Sequence, residues 1–475
     1  MGRNTAYDAV VIGSGPNGLS AAIALAQARQ SVLIVEAADS IGGGTRTSEL
    51  TEAGFKHDIC SAVHPLGALS PFFNELPLSE HGLKWLHPPV SFAHPLDEGP
   101  AVLMKKGLDV TAEGLGVDSA AWKQLIRPFL HRPQVLMQDL LAPLGFPRAP
   151  LTMARFGFYG LRSACGLVRR FSGVRARALF AGCAAHSILP LTRIPSAAVG
   201  LLFAVSGHLT DWPVAQGGSA SISRALASYF CSLGGEVQTG RSITTLADLP
   251  ESRAVLFDTS PKQLIEIAGD QLPAGFVRRL DRFDYGPAVF KLDWALSGPI
   301  PWHDRACMLA STVHVGGTFE EIMAAEAAPW KGVVADRPFL LVCQQSHFDD
   351  GRAPSGKHTG YAYCHVPFGC TVDMTGRIEA QIERFAPGFC DLIVARHILA
   401  PAEFESYNAN YVGGTITGGA ATLSQLFARP VARLSPYTTP NPRIFLCSAS
   451  TPPGGGVHGM CGYHAAHAVL KRLCI

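Results

Sequence analysis

Residues 9–36 read AVVIGSGPNGLSAAIALAQARQSVLIVE, and this stretch decides the fold. The apolar run at 9–12 predicts a buried strand of a parallel sheet, and the Ala/Leu-rich run at 19–28 predicts a helix. Between them, GSGPNG at 13–18 has the G-x-G-x-x-G spacing that holds a dinucleotide pyrophosphate at a helix N-terminus. A second apolar run at 31–35 predicts the next strand. The order strand, glycine loop, helix and strand predicts a Rossmann-like unit.

Each glycine of this loop has an expected task. Gly13 permits the tight turn, Gly15 lets the backbone approach the pyrophosphate, and Gly18 lets the helix pack close to the strand. Glu36 ends the second strand, where its carboxylate is expected to accept hydrogen bonds from both ribose hydroxyls of an adenosine. Because a carboxylate repels a 2′-phosphate, we expect an adenosine without that phosphate.

The loop after Glu36 distinguishes between dinucleotides. It contains three glycines at 42–44 and then Arg46. A nicotinamide cofactor has no special need for a second glycine turn here, whereas the longer FAD molecule runs past this loop. Gly43 and Gly44 are expected to let the backbone close over the cofactor, and Arg46 to neutralise phosphate charge. The sequence therefore predicts FAD.

Composition limits the other function classes. The chain has 475 residues, enough for two or three domains, with 47% hydrophobic and 16% charged residues. A formal net charge of +2 gives no reason to expect a nucleic-acid partner. The apolar stretch 194–210 contains proline, glycines and histidine and predicts a buried helix. The arginine- and aromatic-rich stretch 155–180 predicts either a solvent-facing helical cap or a peripheral membrane contact. Cytoplasmic location is the expectation.

Motifs at both ends of the chain carry a family resemblance. Residues 1–65 resemble the N-terminus of FAD-dependent amine oxidases and phytoene desaturases. RIFLCSASTPPGGGVHGMCGYHAAHAVL at 443–470 resembles the closing motif of that superfamily. Segments between them also resemble its bacterial phytoene-dehydrogenase-like branch: VLFDTSPKQLIEIAG at 255–269, YGPAVFKLDWALSGPIPW at 285–302 and NANYVGGTITGG at 408–419.

This resemblance implies an α/β fold of the two-domain type found in glutathione reductase. A discontinuous Rossmann-like FAD-binding domain would comprise residues 1–75, 214–282 and 405–475. A substrate domain with a mixed sheet and a helical cap would comprise 76–213 and 283–404, with 76–213 mostly helical.

The resemblance also implies further cofactor contacts. Backbone near Ile243 would meet the adenine, and Ser260 would lie at a strand–helix junction. The loop at 452–459 would wrap the ribityl and ring end, and the helix after it would stabilise negative charge on the reduced flavin. The remaining cofactor-binding candidates lie in this closing motif: Ser448, Gly456, His458, Gly459 and Met460. Non-covalent binding is expected.

Four residues are candidates for catalysis, because FAD performs the redox step and few side chains need take part. Lys291 would hold a water near flavin N5, as a lysine does in amine-oxidase relatives. His458 would touch the flavin ring. The strand TGYAYCHV at 359–366 places Tyr363 and His365 on one face, where they would shape the substrate wall or move a proton. No metal site is predicted, although a histidine- and cysteine-containing segment lies at 57–64.

The leading hypothesis is a flavoenzyme that oxidises or desaturates an apolar, isoprenoid or polyene-like molecule by hydride transfer to flavin. Oxygen or a quinone would accept the electrons, since no separate nicotinamide fold is visible. The alternatives are an amine oxidase, a flavin-dependent isomerase or saturase, and a non-catalytic FAD-holding interaction protein. Oligomeric state and substrate identity stay open.

Overall fold

A computed structural model describes residues 7–473. Sixteen strands lie within that range: β1 Tyr7–Ile12, β2 Val32–Val35, β3 Thr47–Glu49, β4 Lys56–Asp58, β5 Trp85–Leu86, β6 Val90–His94, β7 Val102–Met104, β8 Val214–Ala215, β9 Glu236–Gln238, β10 Ser252–Phe257, β11 Ala288–Leu296, β12 Ala310–Val315, β13 Leu340–Cys343, β14 His358–Val366, β15 Ile393–Leu399 and β16 Ile444–Leu446.

Seventeen α-helices connect these strands within the same range: α1 Pro16–Gln27, α2 Pro65–Ala68, α3 Leu108–Glu113, α4 Ser119–Ile126, α5 Pro133–Leu140, α6 Pro150–Gly160, α7 Ala164–Leu167, α8 Val174–Ala185, α9 Ser196–Leu209, α10 Ala220–Ser232, α11 Pro261–Ala268, α12 Ala274–Asp281, α13 Phe319–Ala327, α14 Thr375–Glu383, α15 Pro401–Tyr407, α16 Leu423–Phe427 and α17 Met460–Leu473.

The first sheet is parallel and has the strand order β16-β10-β1-β2-β9. Its central strands are apolar and buried at 9–12, 32–35 and 254–257, as strands covered on both faces by helices must be. In register, Ile12 lies beside Val35 and Phe257, and Phe257 lies beside Leu446. The carboxyl ends of strands from both halves of the chain therefore meet at one edge. The predicted Rossmann-like α/β fold is confirmed.

Helices from the two ends of the chain pack directly against each other. On α17, a Cβ added at Gly462 would overlap the carbonyl of Asn17 on α1. Gly459, just before α17, lies equally close to the Ser20 side chain. Only glycine permits this approach, because any larger residue would push the helices apart. The contact fixes the C-terminal glycine loop beside the N-terminal one.

The second sheet is mixed and has the order β15-β11-β14-β13-β12-β6-β7, in which only β6 and β12 pair in parallel. Its mixed character agrees with the expectation for the substrate side. The segment 76–213 is less helical than expected, because β6 and β7 come from it. Both are short and largely buried, and they complete the sheet beside β12.

Helices α3 to α9 form a cap around a large apolar cluster that includes Trp122, Phe180 and Leu201. The stretch predicted to be a buried helix forms α9, which packs on α6 and α8. Within residues 7–473, no helix combines the length and apolar character needed to cross a bilayer.

A buried network of charges connects segments that lie 294 residues apart in the chain. Arg352 binds Asp58 at 2.9 Å and Asp349 at 2.6 Å, with all three side chains buried. Asp58, at the end of β4, also accepts hydrogen bonds from Thr47 and from the backbone of Ser219. Burial opposes ionisation of Asp58, but Arg352 and these donors outweigh it and lower the pKa of the carboxyl. The network fixes the Asp58 segment against residues 349–352.

Candidate cofactor and substrate site

The glycine loop leaves β1 and enters α1, as its sequence predicts. Gly13 has φ +100°, which favours glycine, and a Cβ at Gly18 would overlap the Gly13 carbonyl. These positions agree with the turn and close-packing tasks. At Gly15 the close neighbour is a side chain of the protein itself. A Cβ there would lie 2.6 Å from Oδ2 of Asp258, at the end of β10. The neighbour that requires a glycine at this position is a carboxyl group of the protein.

Glu36 lies at the carboxyl end of β2 and is already well supplied with hydrogen bonds. Its Oε2 accepts from the backbone N–H of Ser14 at 2.9 Å and from the Ser14 hydroxyl at 2.5 Å. Its Oε1 accepts from the Ala38 N–H and from Arg46 at 3.2 Å. Glu36 therefore ties the glycine loop to the second glycine turn. Its predicted contact with ribose hydroxyls stays a prediction.

Asp258 is a buried carboxyl that the sequence analysis missed. Its Oδ2 accepts a hydrogen bond from the Gly18 N–H at 2.8 Å, so it caps the start of α1. Burial is the largest cause that raises the pKa of Asp258 well above its usual value, and nearby Glu36 raises it further. The neutral form of Asp258 therefore persists to higher pH than that of an ordinary aspartic acid. A neutral carboxyl is compatible with phosphates at this helix terminus, whereas a carboxylate would repel them.

One continuous cavity of about 790 Å³ begins at this loop and extends to the second sheet. Glu36, Arg241 and Ile243 line its adenosine end, and Tyr363 and His365 line its substrate end. Nine of the predicted cofactor residues contribute to its wall together with Ile243: Gly13, Gly15, Glu36, Gly43, Gly44, Arg46, Ser260, Ser448 and Gly456. A cavity that extends from the glycine loop to the second sheet suits a dinucleotide as long as FAD.

Four predicted cofactor residues do not line the cavity: Gly18, His458, Gly459 and Met460. His458 is buried, and its Nδ1 accepts a hydrogen bond from the Met460 N–H at the start of α17. Burial lowers the pKa of His458 to about 4, so the ring is neutral. Its place is that of a helix cap rather than of a group on the cavity surface. Gly459 is required by the contact between α1 and α17.

Arg429 is a second cavity residue that the sequence analysis missed. Its guanidinium lies over the Phe283 ring and donates to backbone carbonyls of Gly418 and Ala449. Its Nε has no partner, and within residues 7–473 no carboxylate forms a salt bridge with it. Burial lowers the pKa of Arg429 to about 10, which leaves the group charged at neutral pH. A buried, uncompensated cation that faces the cavity fits an anionic cofactor.

Lys291 is not among the cavity-lining residues. Its ammonium group contacts the Asp293 carboxylate at 2.5 Å and lies 4.3 Å from the centre of the Tyr361 ring. Burial raises the pKa of Asp293 to about 6, although Lys291 opposes that shift. Burial, followed by the charge of Lys291, lowers the pKa of neighbouring His57 to about 3. The lysine predicted to hold a water is thus engaged in a buried ion pair behind the cavity wall.

The substrate end has the aromatic face that the alternation in β14 predicts. Tyr363 and His365 both line the cavity, with their rings 5.9 Å apart. His365 donates from Nδ1 to the carboxylate of Glu326 on α13, at 2.8 and 2.9 Å from its two oxygens. The rest of this wall, which sequence reasoning missed, includes His186, Val199, Leu202, Phe203, Trp212, Thr312 and Leu341.

Comparisons with known proteins agree with this geometry. Residues 11–76 match the family of NAD(P)-binding Rossmann-like domains. The chain is 28% identical to the mouse pyridine nucleotide-disulfide oxidoreductase domain-containing protein 2, over 98% of this chain and 94% of the mouse protein. Its fold resembles that of a putrescine oxidase, with a TM-score of 0.65 and 16% identity over 99% of this chain and 100% of that one. Cyclohexylamine oxidase from Brevibacterium oxydans gives a TM-score of 0.56 and 15% identity over the same shares.

Fold and site together support an FAD-dependent oxidoreductase. The cavity extends from the glycine loop to the second sheet, and the buried Arg429 suits a cofactor that contains a pyrophosphate. The raised pKa of Asp258 reduces the repulsion that its carboxyl would exert on phosphates. Gly13, Gly43 and Gly456 supply the close backbone walls. The comparisons support the FAD oxidoreductase superfamily and not its phytoene-dehydrogenase-like branch.

Removing the buried guanidinium should weaken FAD binding. Because a charge-assisted hydrogen bond contributes about 1.5–3 kcal/mol, we expect Arg429→Met to raise the Kd for FAD roughly 10–100-fold. Fluorescence titration of the apoprotein measures this change. Arg433→Met is the matched control, since Arg433 is exposed and outside the cavity wall. Equal affinities in the two variants would contradict a role for Arg429 in holding the cofactor.

Ionisation of Asp258 should make FAD binding depend on pH. The pKa of Asp258 is raised, so the carboxyl is neutral below that pKa and acquires a charge beside the phosphates above it. We expect wild-type Kd to increase as pH rises through this pKa, and Asp258→Asn to remove the increase while keeping an acceptor for the Gly18 N–H. Asp270→Asn, at an exposed carboxyl, should behave like wild type. The same pH slope in Asp258→Asn would contradict this assignment.

Proposed function

We propose that this protein oxidises or desaturates an apolar, uncharged substrate of isoprenoid or polyene type. The observation that carries the proposal is the composition of the substrate end of the cavity. Val199, Leu202 and Phe203 of α9 form one wall, and Leu341 and Trp212 lie on the others. Burying an apolar molecule against such walls is favourable at roughly 25 cal/mol per Å² of apolar surface.

Charge distribution argues against a cationic substrate. Among the described residues, the carboxylates that line the cavity are Glu36 and Asp258, and both lie at the nucleotide end. Glu326, at the other end, lies behind His365. An ammonium group would therefore lose its water shell without a facing anion, which is costly. The amine-oxidase alternative draws on the fold likeness and on Tyr361 and Tyr363, whose rings are 6.5 Å apart.

The residues of the chain have distinct tasks in this proposal. When bound, FAD supplies the two-electron, hydride-accepting centre. The α9 wall and Trp212 exclude water and orient the substrate, while Tyr363 forms the floor beside it. Oxygen or a quinone is the proposed final electron acceptor. An isomerase or saturase would use the same cavity with flavin that has been reduced beforehand.

Anaerobic mixing of the FAD-loaded protein with two sets of compounds tests the substrate class. We expect isoprenoid probes such as geraniol and myrcene to bleach the visible flavin absorbance, and putrescine and cyclohexylamine to leave it unchanged. Readmitting oxygen, or adding a short-chain quinone under argon, then identifies the acceptor. Bleaching by the amines alone would overturn the proposal in favour of an amine oxidase. Protein that chemical reductants cannot reduce would indicate a non-catalytic FAD carrier.

We also propose a peripheral membrane contact through α6. Leu151, Arg155 and Phe158 recur at helical spacing on one face of α6, and the two apolar side chains are 89% and 62% exposed. Arg162 follows the helix and lies 4.4 Å from the centre of the Phe158 ring. Arginines interleaved with exposed apolar side chains suit an anionic bilayer surface. The helix packs against α9, whose other residues line the cavity.

Vesicle sedimentation tests this contact. We expect the protein to pellet with vesicles containing phosphatidylserine, and the double variant Leu151→Ser/Phe158→Ser to remain in the supernatant. Val333→Ser, at an exposed apolar residue outside the cap, is the control. Equal pelleting of the double variant and wild type would contradict the membrane contact.

A further inference from the structure

The structure pairs one cavity histidine with one buried carboxylate. His365 on β14 and Glu326 on α13 have side chains only 2% exposed, and Nδ1 lies 2.8 Å from Oε2. The carboxylate can only accept, so the proton of the neutral ring is held on Nδ1. Nε2 then keeps its lone pair, and no hydrogen bond from the described residues reaches it. Because the ring lines the cavity, this nitrogen is available to a substrate.

The other histidines at this end cannot perform the same task. His186 lines the cavity but shares a hydrogen bond of 3.0 Å with His314. Burial, followed by repulsion from His365, lowers the pKa of His186 to about 3, and burial lowers that of His314 well below its usual value. Neither ring contacts a carboxylate within residues 7–473. His365 is therefore distinguished by its partner rather than by its position alone.

Resting on the proposed function, we propose that His365 is the base that accepts a hydroxyl proton from an apolar alcohol substrate, and that Glu326 is its positioning residue. As the carbinol C–H bond breaks, its electron pair leaves as hydride and reduces the bound flavin. The O–H bond also breaks, its proton passes to Nε2 of His365, and the alcohol becomes a carbonyl compound. The imidazolium returns the proton to water, while the final acceptor takes the two electrons.

The chemistry of the base selects this substrate class. An imidazole is too weak to remove a proton from a hydrocarbon but matches a hydroxyl whose acidity increases as hydride departs. A protonated amine would meet no lining carboxylate at this end. Tyr363 supplies a hydroxyl group close to His365, and Thr312 and Tyr361 line the cavity farther along the sheet. Val199, Leu202 and Phe203 of α9 form an apolar wall of the same cavity. A histidine with a free acceptor nitrogen beside an apolar wall fits one hydroxyl on an apolar chain.

The first experiment compares geraniol with geranylamine and with myrcene, a hydrocarbon that lacks the hydroxyl, in anaerobic stopped-flow reduction of the FAD-loaded protein. We expect geraniol to reduce the flavin fastest. His365→Asn and Glu326→Gln should lower the limiting rate roughly 10²–10⁴-fold with little change in the half-saturating concentration. Glu326→Asp should recover part of the rate. Glu320→Gln, at the exposed face of the same helix, should match wild type.

The pH profile separates a base from a structural residue. The titratable groups that face His365 are Glu326 from α13, His186 just after α8 and Tyr363 from its own strand, and Cys364 lies near Glu326. We expect the limiting rate of the wild type to fall toward low pH. In His365→Asn this limb should be absent. A limb that persists in that variant would assign it to another group and overturn the role of His365.

A second readout needs no turnover. Diethyl pyrocarbonate acylates neutral imidazole, and peptide mass spectrometry locates the label. We expect His365 of the FAD-loaded wild type to react and Glu326→Gln to slow its labelling, while labelling in Glu320→Gln is unchanged. Labelling independent of Glu326 would overturn the positioning role.

The outcomes separate this inference from the proposed function. If none of the three probes reduces the wild-type flavin, the proposed function fails and the alcohol assignment fails with it. Labelling then still tests the His365–Glu326 pair. If geraniol reduces wild type and both variants equally, the proposed function survives and the proton role is wrong. Reduction by geranylamine or myrcene but not by geraniol would overturn the alcohol assignment.

Discussion

The close packing of α1 against α17 is the contact on which the site depends. Backbone touches backbone where Gly462 meets Asn17, so the first and last helices behave as one layer under the parallel sheet. Dispersion and apolar burial over this layer are collectively large, although each atom pair contributes little. Because the two helices are fixed together, the loops preceding them open into the same cavity. A single bulky residue at this seam would separate the two halves of the cofactor site.

The substrate side is held by buried polar contacts rather than by apolar packing alone. Arg352 joins Asp58 to Asp349, and Lys291 joins Asp293. Replacing such pairs with apolar residues is often neutral, so their presence is weak evidence of extra stability. Breaking one by removing a single partner is costly, because a charge is left buried without a counter-charge. The Arg352 pairs instead fix the Asp58 segment against residues 349–352, whereas Lys291 and Asp293 neutralise each other on a single strand.

Local patterns in the sequence predicted the Rossmann-like unit, FAD and the face of β14, because turns, strands and alternation depend on near neighbours. Contacts between distant segments were missed: Asp258 binds Gly18 across 240 residues, and Glu326 binds His365 across 39. The task assigned to Lys291 overlooked that residues two apart on a strand share a face, which gives the lysine to Asp293. Arg429 gave no signal, since one arginine in an irregular segment resembles any other.

The path of the chain through β5 to β8 has an evolutionary consequence. β5 pairs with β8, so residues 87–213 leave and re-enter at adjacent points beside the nucleotide-binding half. The segment between those points contains α9, which lines the cavity, and also β6 and β7, which join the second sheet beside β12. Substitutions in α9 would alter which molecules enter the substrate end of the cavity. They would leave the parallel sheet and its glycine loops unchanged. Proteins that share an ancestor can therefore differ in substrate while they keep the same cofactor-binding half.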